Sequence, residues 1–238
     1  MSSTLSDENV IRRDLPNAVI YDLSQPHHVT ITLPSHSTWS SGLHWHETHT
    51  EYLKVIRGSI LVRLGTRSVV LSATTDDQPE VKVDRHVWHE WRRAEPDDLV
   101  IVEERTSPAD HDKALFFWNL NGVIKNAPRM SRSKMIVLVP GQVRGWLLDM
   151  IVTLKLFVIF HHLDNFPVLL NAPTLAQDAS IAQSSNIRAT FSRVDYILTH
   201  IILYIASWMG LAFGMKPVYE EYTPNSLYSS WSNRNHQR

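Results

Sequence analysis

The stretch that decides the fold is His44-Trp45-His46-Glu47-Thr48-His49-Thr50-Glu51, running on through Tyr52-Leu53-Lys54-Val55-Ile56-Arg57 to Gly58. In a strand, successive side chains point to opposite faces. His44 and His46 therefore share a face, and Trp45 takes the other. On the next strand Glu51, Leu53 and Val55 share one face, while Tyr52, Lys54 and Ile56 take the other. The apolar pair marks the inner face, so Glu51 points inward beside the two imidazoles. Two imidazoles and a carboxylate brought together in this way form part of a metal-ligand set. A third imidazole has to come from a distant strand. Val87, His89 and Trp91 share the better core face, so His89 is favoured; His86 falls on the opposite parity and reads as a surface residue. His49 reads as a loop histidine.

Short segments of alternating polarity surround this stretch: His28–Leu33, Leu43–His46, Glu51–Arg57, Ser59–Leu64, Ser68–Leu71, Val81–Val83, Val87–Arg92 and Leu99–Glu104. Gly58 and Gly65-Thr66-Arg67 supply turns between them. About seven or eight short strands at this spacing predict a sandwich or small barrel. Residues 1–26 read as a polar arm. Near Ser107 the texture changes to longer, helix-like stretches. A short amphipathic helix is expected over Asp112–Asn121, an apolar helix over Trp146–Phe160, and a polar loop over Pro173–Asn186. Asp195–Met215 is strongly apolar, with Asp195 and His200 its only ionisable residues. It is long enough to cross a bilayer and is flanked by Arg193 and Lys216. Its Ser207, Gly210 and Gly214 suit packing on another helix equally well. Membrane contact through 195–215 and a soluble helical appendage covering the barrel both stand as readings.

Composition narrows the function. Among 238 residues there are 23 Lys and Arg against 24 Asp and Glu, a net charge of −1 that leaves no electrostatic footprint for nucleic acid. The absence of cysteine excludes disulfides, thiolate zinc sites, iron–sulfur clusters and a cysteine nucleophile. The first twenty residues contain no apolar run, so no secretory signal is expected and the protein is placed inside the cell, cytoplasmic or membrane-associated. There is no P-loop, dinucleotide glycine fingerprint or GxSxG. His161-His162-Leu163-Asp164 reads as a helix end, and Asp110-His111-Asp112 as a solvated turn.

The motif resembles that of the cupin superfamily, whose first motif runs HxH, three or four residues, Glu, six residues, Gly. Here it is His44-x-His46, four residues, Glu51, six residues, Gly58. The family's leading Gly falls on Thr38. In its second motif the His position is His89, but Asp84, His86 and Arg93 replace the Pro, Gly and Asn. The resemblance covers 27–106 and implies a single small jelly-roll β-barrel there; with the helical region read over 107–238, the chain is expected to be mainly β. The resemblance also implies one divalent transition metal, iron first with manganese, nickel or zinc as alternatives, held by His44, His46, Glu51 and His89. The wider texture resembles fungal cupin-domain proteins of secondary-metabolite gene clusters, some of them oxidoreductases. This implies a metal-dependent oxidoreductase acting on a small apolar or aromatic metabolite. Leu53, Val55 and Trp91 are expected to wall its pocket, and Arg57 or Arg93 to orient an anionic group. A metal-dependent isomerase or cyclase, and a metal-free cupin binding or scaffold module, are the alternatives. A small-molecule substrate and a homodimer are the remaining partner expectations.

Overall fold

The computed structural model describes residues 7–130, 140–170 and 185–236. Alternation of buried and open side chains builds ten strands before residue 108. They are β1 (Val10–Arg13), β2 (Val19–Asp22), β3 (Val29–Leu33), β4 (His44–Trp45), β5 (Thr50–Arg57), β6 (Ser59–Leu64), β7 (Arg67–Ser72), β8 (Glu80–Val83), β9 (His89–Arg93) and β10 (Val100–Ser107). Among the described residues four α-helices follow: α1 (Asp112–Met130), α2 (Gly141–His162), α3 (Ser185–Ala212) and α4 (Asn225–His236). An eleventh short strand, β11 (Phe166–Pro167), lies after α2.

The strands form two antiparallel sheets. One runs β1-β2-β3-β10-β5-β8, the other β11-β4-β9-β6-β7. Inward residues of both bury a common core: Ile31, Leu53 and Val102 from the first sheet, Ile60, Val62 and Trp91 from the second. Each of these is completely buried. Transferring such side chains out of water stabilises by roughly 1.5–3 kcal/mol apiece, which is what holds the sheets face to face. Two sheets of six and five strands with C-terminal helices fit a cupin-like β fold.

Gly58 explains the turn that ends the decisive stretch. β5 belongs to the six-stranded sheet and β6 to the other, so the chain crosses between sheets at this residue. Its φ is +77°, and a β-carbon there would sit 2.6 Å from the Leu99 carbonyl oxygen. Glycine alone tolerates both demands.

Several expectations change. Residues 7–26 of the expected polar arm belong to the β fold: β1 and β2 join the six-stranded sheet, and Ile11, Val19 and Tyr21 enter the core. Weak alternation in short strands bounded by Pro16 and Pro26 hid them. The helical half is not separate from the β half. β11 pairs with β4, placing Phe166 opposite Trp45 and Pro167 opposite His44. Phe117 of α1 is buried in the β core. α1 is also longer than expected, at 19 residues, and α2 runs to 22. The loop expected over Pro173–Asn186 lies outside the described residues except at its end, where α3 begins.

The two glycine turns give a paired test. Gly58→Ala combines left-handed strain with the Leu99 clash, so it should cost about 2 kcal/mol or more in chemical denaturation. Gly65→Ala, at φ +57° with nothing near its β-carbon, should cost on the order of 1 kcal/mol. Equal losses at the two sites would refute the crossing-point argument.

Candidate metal centre

Register brings the expected ligands together. His44 on β4 lies directly opposite His89 on β9. Their ring centroids are 4.2 Å apart, and His46 lies 5.0 Å from His44 and 5.3 Å from His89. Glu51 enters from β5 on the facing sheet. Ligand atoms of His44, His46, Glu51 and His89 all fall within 4.8 Å of one another, and all four residues are buried. His86 is exposed, as its strand parity implied.

The three histidines share one hydrogen-bond arrangement. His44 Nδ1–H donates to the Gly42 carbonyl at 2.8 Å, and His89 Nδ1–H to the Val87 carbonyl at 2.9 Å. His46 Nδ1–H donates to the Asp164 carbonyl. A backbone acceptor on Nδ1 fixes the tautomer and leaves Nε2 with a bare lone pair. Two of those atoms face Glu51. His46 Nε2 lies 3.1 Å from Oε2, and His89 Nε2 lies 3.4 Å from Oε1. Among the described residues, neither Glu51 Oε1 nor His89 Nε2 makes an aligned hydrogen bond. Buried acceptors that face one another without a donor call for a cation between them.

Burial disfavours a proton on two of the rings. Burial, then the neighbouring His89 and His46, hold His44 well below the usual histidine range. Burial also lowers His46, although Glu51 opposes it. Both rings are therefore neutral, which is the form that binds a metal. Burial pushes Glu51 up, but Lys113 and the two histidines outweigh it and hold the carboxyl well below its usual range. The donor set fits a divalent transition ion.

Sequence reasoning missed the groups that complete the centre. Lys113, in the first turn of α1, places Nζ 2.5 Å from Glu51 Oε2 and also bonds Glu104. Glu104 sits on β10 opposite Leu53, so it shares the inner face with Glu51, two residues along. Two carboxylates so placed repel unless a cation divides them. Burial and then Glu51 push Glu104 up to about 7, against the pull of Lys113. No sequence spacing links Lys113 to the motif, because the helix docks only through the fold.

Asp164 does follow a helix end, since α2 closes at His162, but its role is larger. It is the buried lock of the ligand loop, not merely a helix end. Its carboxylate accepts hydrogen bonds from the backbone N–H groups of Glu47, Thr48 and His49 and from His49 Nδ1. Its φ of +54° lets it turn back onto the loop. His49 is buried rather than an open loop residue: burial pushes it down, but Asp110 and Asp164 outweigh this and raise it to about 9. His49 and Asp110 with Asp112 form a second cluster of metal-binding composition. Its own imidazolium, 3.0 Å from Asp110 and 2.7 Å from Asp164, already supplies the positive charge. Asp110-His111-Asp112 does form a bend with His111 exposed, but its carboxylates are engaged, Asp110 with His49 and Asp112 with Arg234 at 2.9 Å.

A cavity of about 190 Å³ opens beside His44 and His46. Lys113 and Glu104 border it on one side; Tyr21, Phe116, Leu120 and Phe160 supply apolar wall. The expected wall residues lie elsewhere. Leu53, Val55 and Trp91 are sealed in the core. Arg57 is exposed at the end of β5. Arg93 donates to the carbonyls of Leu33, Pro34 and Asp98, tying loops together. Parity placed these side chains on an inner face but could not say that α1 and α2 build the pocket.

No family model matches the chain, and no curated protein matches it. Solved structures do. KdgF from Halomonas sp. is 21% identical, covering 44% of this chain and 94% of that one, with a TM-score of 0.32. The Drosophila melanogaster CENP-C cupin domain is 15% identical, covering 44% of this chain and 82% of that one, at 0.33. The capsular polysaccharide assembling protein CapF from Staphylococcus aureus is 14% identical over 41% of this chain, at 0.32. The match spans only 28% of CapF's length.

Asp164→Ala should free the loop that carries His46 and the His46 acceptor with it. The expected result is a 10–100-fold weaker metal affinity by competitive chelator titration, the range for losing a group that orients a ligand. An affinity equal to wild type would show that the loop holds itself.

Proposed function

We propose that the chain is a metal-dependent cupin enzyme, an oxidoreductase acting on a small apolar or aromatic metabolite. The observation that carries this is the trio of Nδ1–H bonds to backbone carbonyls, which leaves three Nε2 atoms available in a buried cluster with one carboxylate. His44, His46, Glu51 and His89 would hold the ion. Three neutral imidazoles and a carboxylate suit iron first, and manganese, nickel or zinc as alternatives. A bound iron supplies Lewis acidity and one-electron chemistry with dioxygen.

The remaining work falls to the chain itself. Tyr21, Phe116, Leu120 and Phe160 exclude water and favour an apolar substrate. The cavity is below the roughly 300–1,000 Å³ of drug-sized sites, which points to a small metabolite. Lys113 holds Glu104 and offers N–H donors to a developing negative charge on substrate oxygen. The resemblance to fungal biosynthetic-cluster proteins supports an intracellular biosynthetic role.

A second reading rests on Lys113. Its ammonium lies against Glu51, so one internal cation already partly neutralises the carboxylate. On this reading the protein is a metal-free cupin binding module.

Metal analysis separates the two. Wild type reconstituted with iron, manganese, nickel or zinc should hold one equivalent, lost in His46→Ala and His89→Ala and kept in His86→Ala. Dioxygen uptake with a turned-over substrate would mark the oxidoreductase; turnover without uptake would mark an isomerase or cyclase. Lys113→Met should bind metal more tightly, because it removes a positive charge beside the ion. A wild type that takes up no metal, with Lys113→Met destabilised by about 3–5 kcal/mol, would establish the binding module instead.

A further inference from the structure

α3 is built inside out. Its inner stripe is Asp195, Thr199, Leu203, Ala206, Ser207 and Gly210, all buried. Apart from Leu203, these residues are small or polar. Its outer stripe is Ile197, Ile201, Tyr204, Ile205, Trp208 and Leu211, each more than half exposed. A helix on the surface of a water-soluble domain has the opposite polarity, apolar inward and polar outward. Residues 193–212 are also the one described segment long and apolar enough to cross a bilayer.

The pattern says what covers the outer stripe. Helices surrounded by lipid pack through small residues and hydrogen-bonding side chains and leave their large apolar residues outward. α3 does this against α2: Gly210 lies on Val158 with no room for a β-carbon, and His161 Nδ1 lies 3.1 Å from Ser207 Oγ. The exposed positions between Val194 and Phe213 carry no Asp, Glu, Lys or Arg. A protein-binding patch would be bordered by a polar rim. Here the stripe is bracketed by exposed cations, Arg193 and Lys216, as at lipid headgroups. Tyr204 and Trp208 have the amphipathic rings that favour the membrane–water interface.

The inner stripe also fixes the orientation. Asp195 accepts from Leu170 N–H at 2.9 Å, and Thr199 donates to the Pro167 carbonyl at 2.9 Å. His200 lies 2.9 Å from Glu47, and Tyr196 stacks on Trp45 with centroids 5.6 Å apart. A helix held sideways to β4, β11 and α2 along its length cannot leave them to cross a membrane. We infer that the outer face of α3 lies flat on a lipid bilayer, anchoring the protein to one leaflet without spanning it. This sets the ligand loop about one helix diameter, roughly 10 Å, from the lipid surface.

Flotation of the purified full chain with vesicles tests this. Wild type should float with phosphatidylcholine vesicles, and more strongly when phosphatidylserine is included. The Ile201→Glu/Ile205→Glu double variant changes only exposed positions, so it should keep the wild-type unfolding midpoint while binding about tenfold less or weaker still. Brominated lipids should quench a tryptophan signal in wild type that is missing from Trp208→Phe, a measurement that needs no destabilised variant. Alkaline carbonate should release the bound protein. Retention in the pellet would overturn the flat geometry in favour of a spanning helix. A wild type that ignores vesicles, whether monomeric or a discrete dimer dissociated by the double variant, would overturn the lipid assignment.

Discussion

A surplus of buried hydrogen-bond acceptors organises this molecule. Three buried imidazoles gather beside Glu51, and Glu104 adds a second carboxyl on the same inner face. In a water-excluded interior such a group is stable only when cations are supplied, because each unpaired acceptor costs about 1–3 kcal/mol and an unpaired charge more. Lys113 supplies one positive charge from outside the β sheets. The ligand arrangement supplies a place for a divalent ion. The docking of α1, the register of β4 against β9 and the locked loop over Glu47–His49 all serve to hold this cluster in one geometry.

The β and helical halves are consequently one functional unit. Lys113 and Phe117 come from α1, one entering the centre and the other the core. Asp164, just beyond α2, fixes the loop that carries His46. β11 then pairs with the strand that carries His44. The pocket wall of Phe116, Leu120 and Phe160 belongs to the same helices. In this arrangement the β sheets position the ligands, while the helices determine what can reach them. α3 completes the sequence of contacts, since His200 meets Glu47 next to His46. An event at the outer face of α3 is thus only a few bonds removed from the ligand loop.

What the sequence determined by itself was local and periodic. Period-two alternation put Glu51 on the face of Leu53 and Val55, and His89 on the face of Val87 and Trp91. Those parities held because a one-residue slip would have moved every core side chain to solvent. The same logic separated His89 from His86. The run of apolar residues after Arg193 identified a long helix. Tertiary structure decided everything that depended on distant segments meeting. Lys113 lies 62 positions from Glu51, and Asp164 lies 118 from His46, separations at which no spacing rule operates. The strands β1 and β2 were too short for their alternation to show, and became strands because β3 offered an open edge to pair with. Polarity along α3 could be counted in the sequence, but which stripe faced inward was settled only by packing, which put the small and hydrogen-bonding residues against the protein and left the large apolar ones outside.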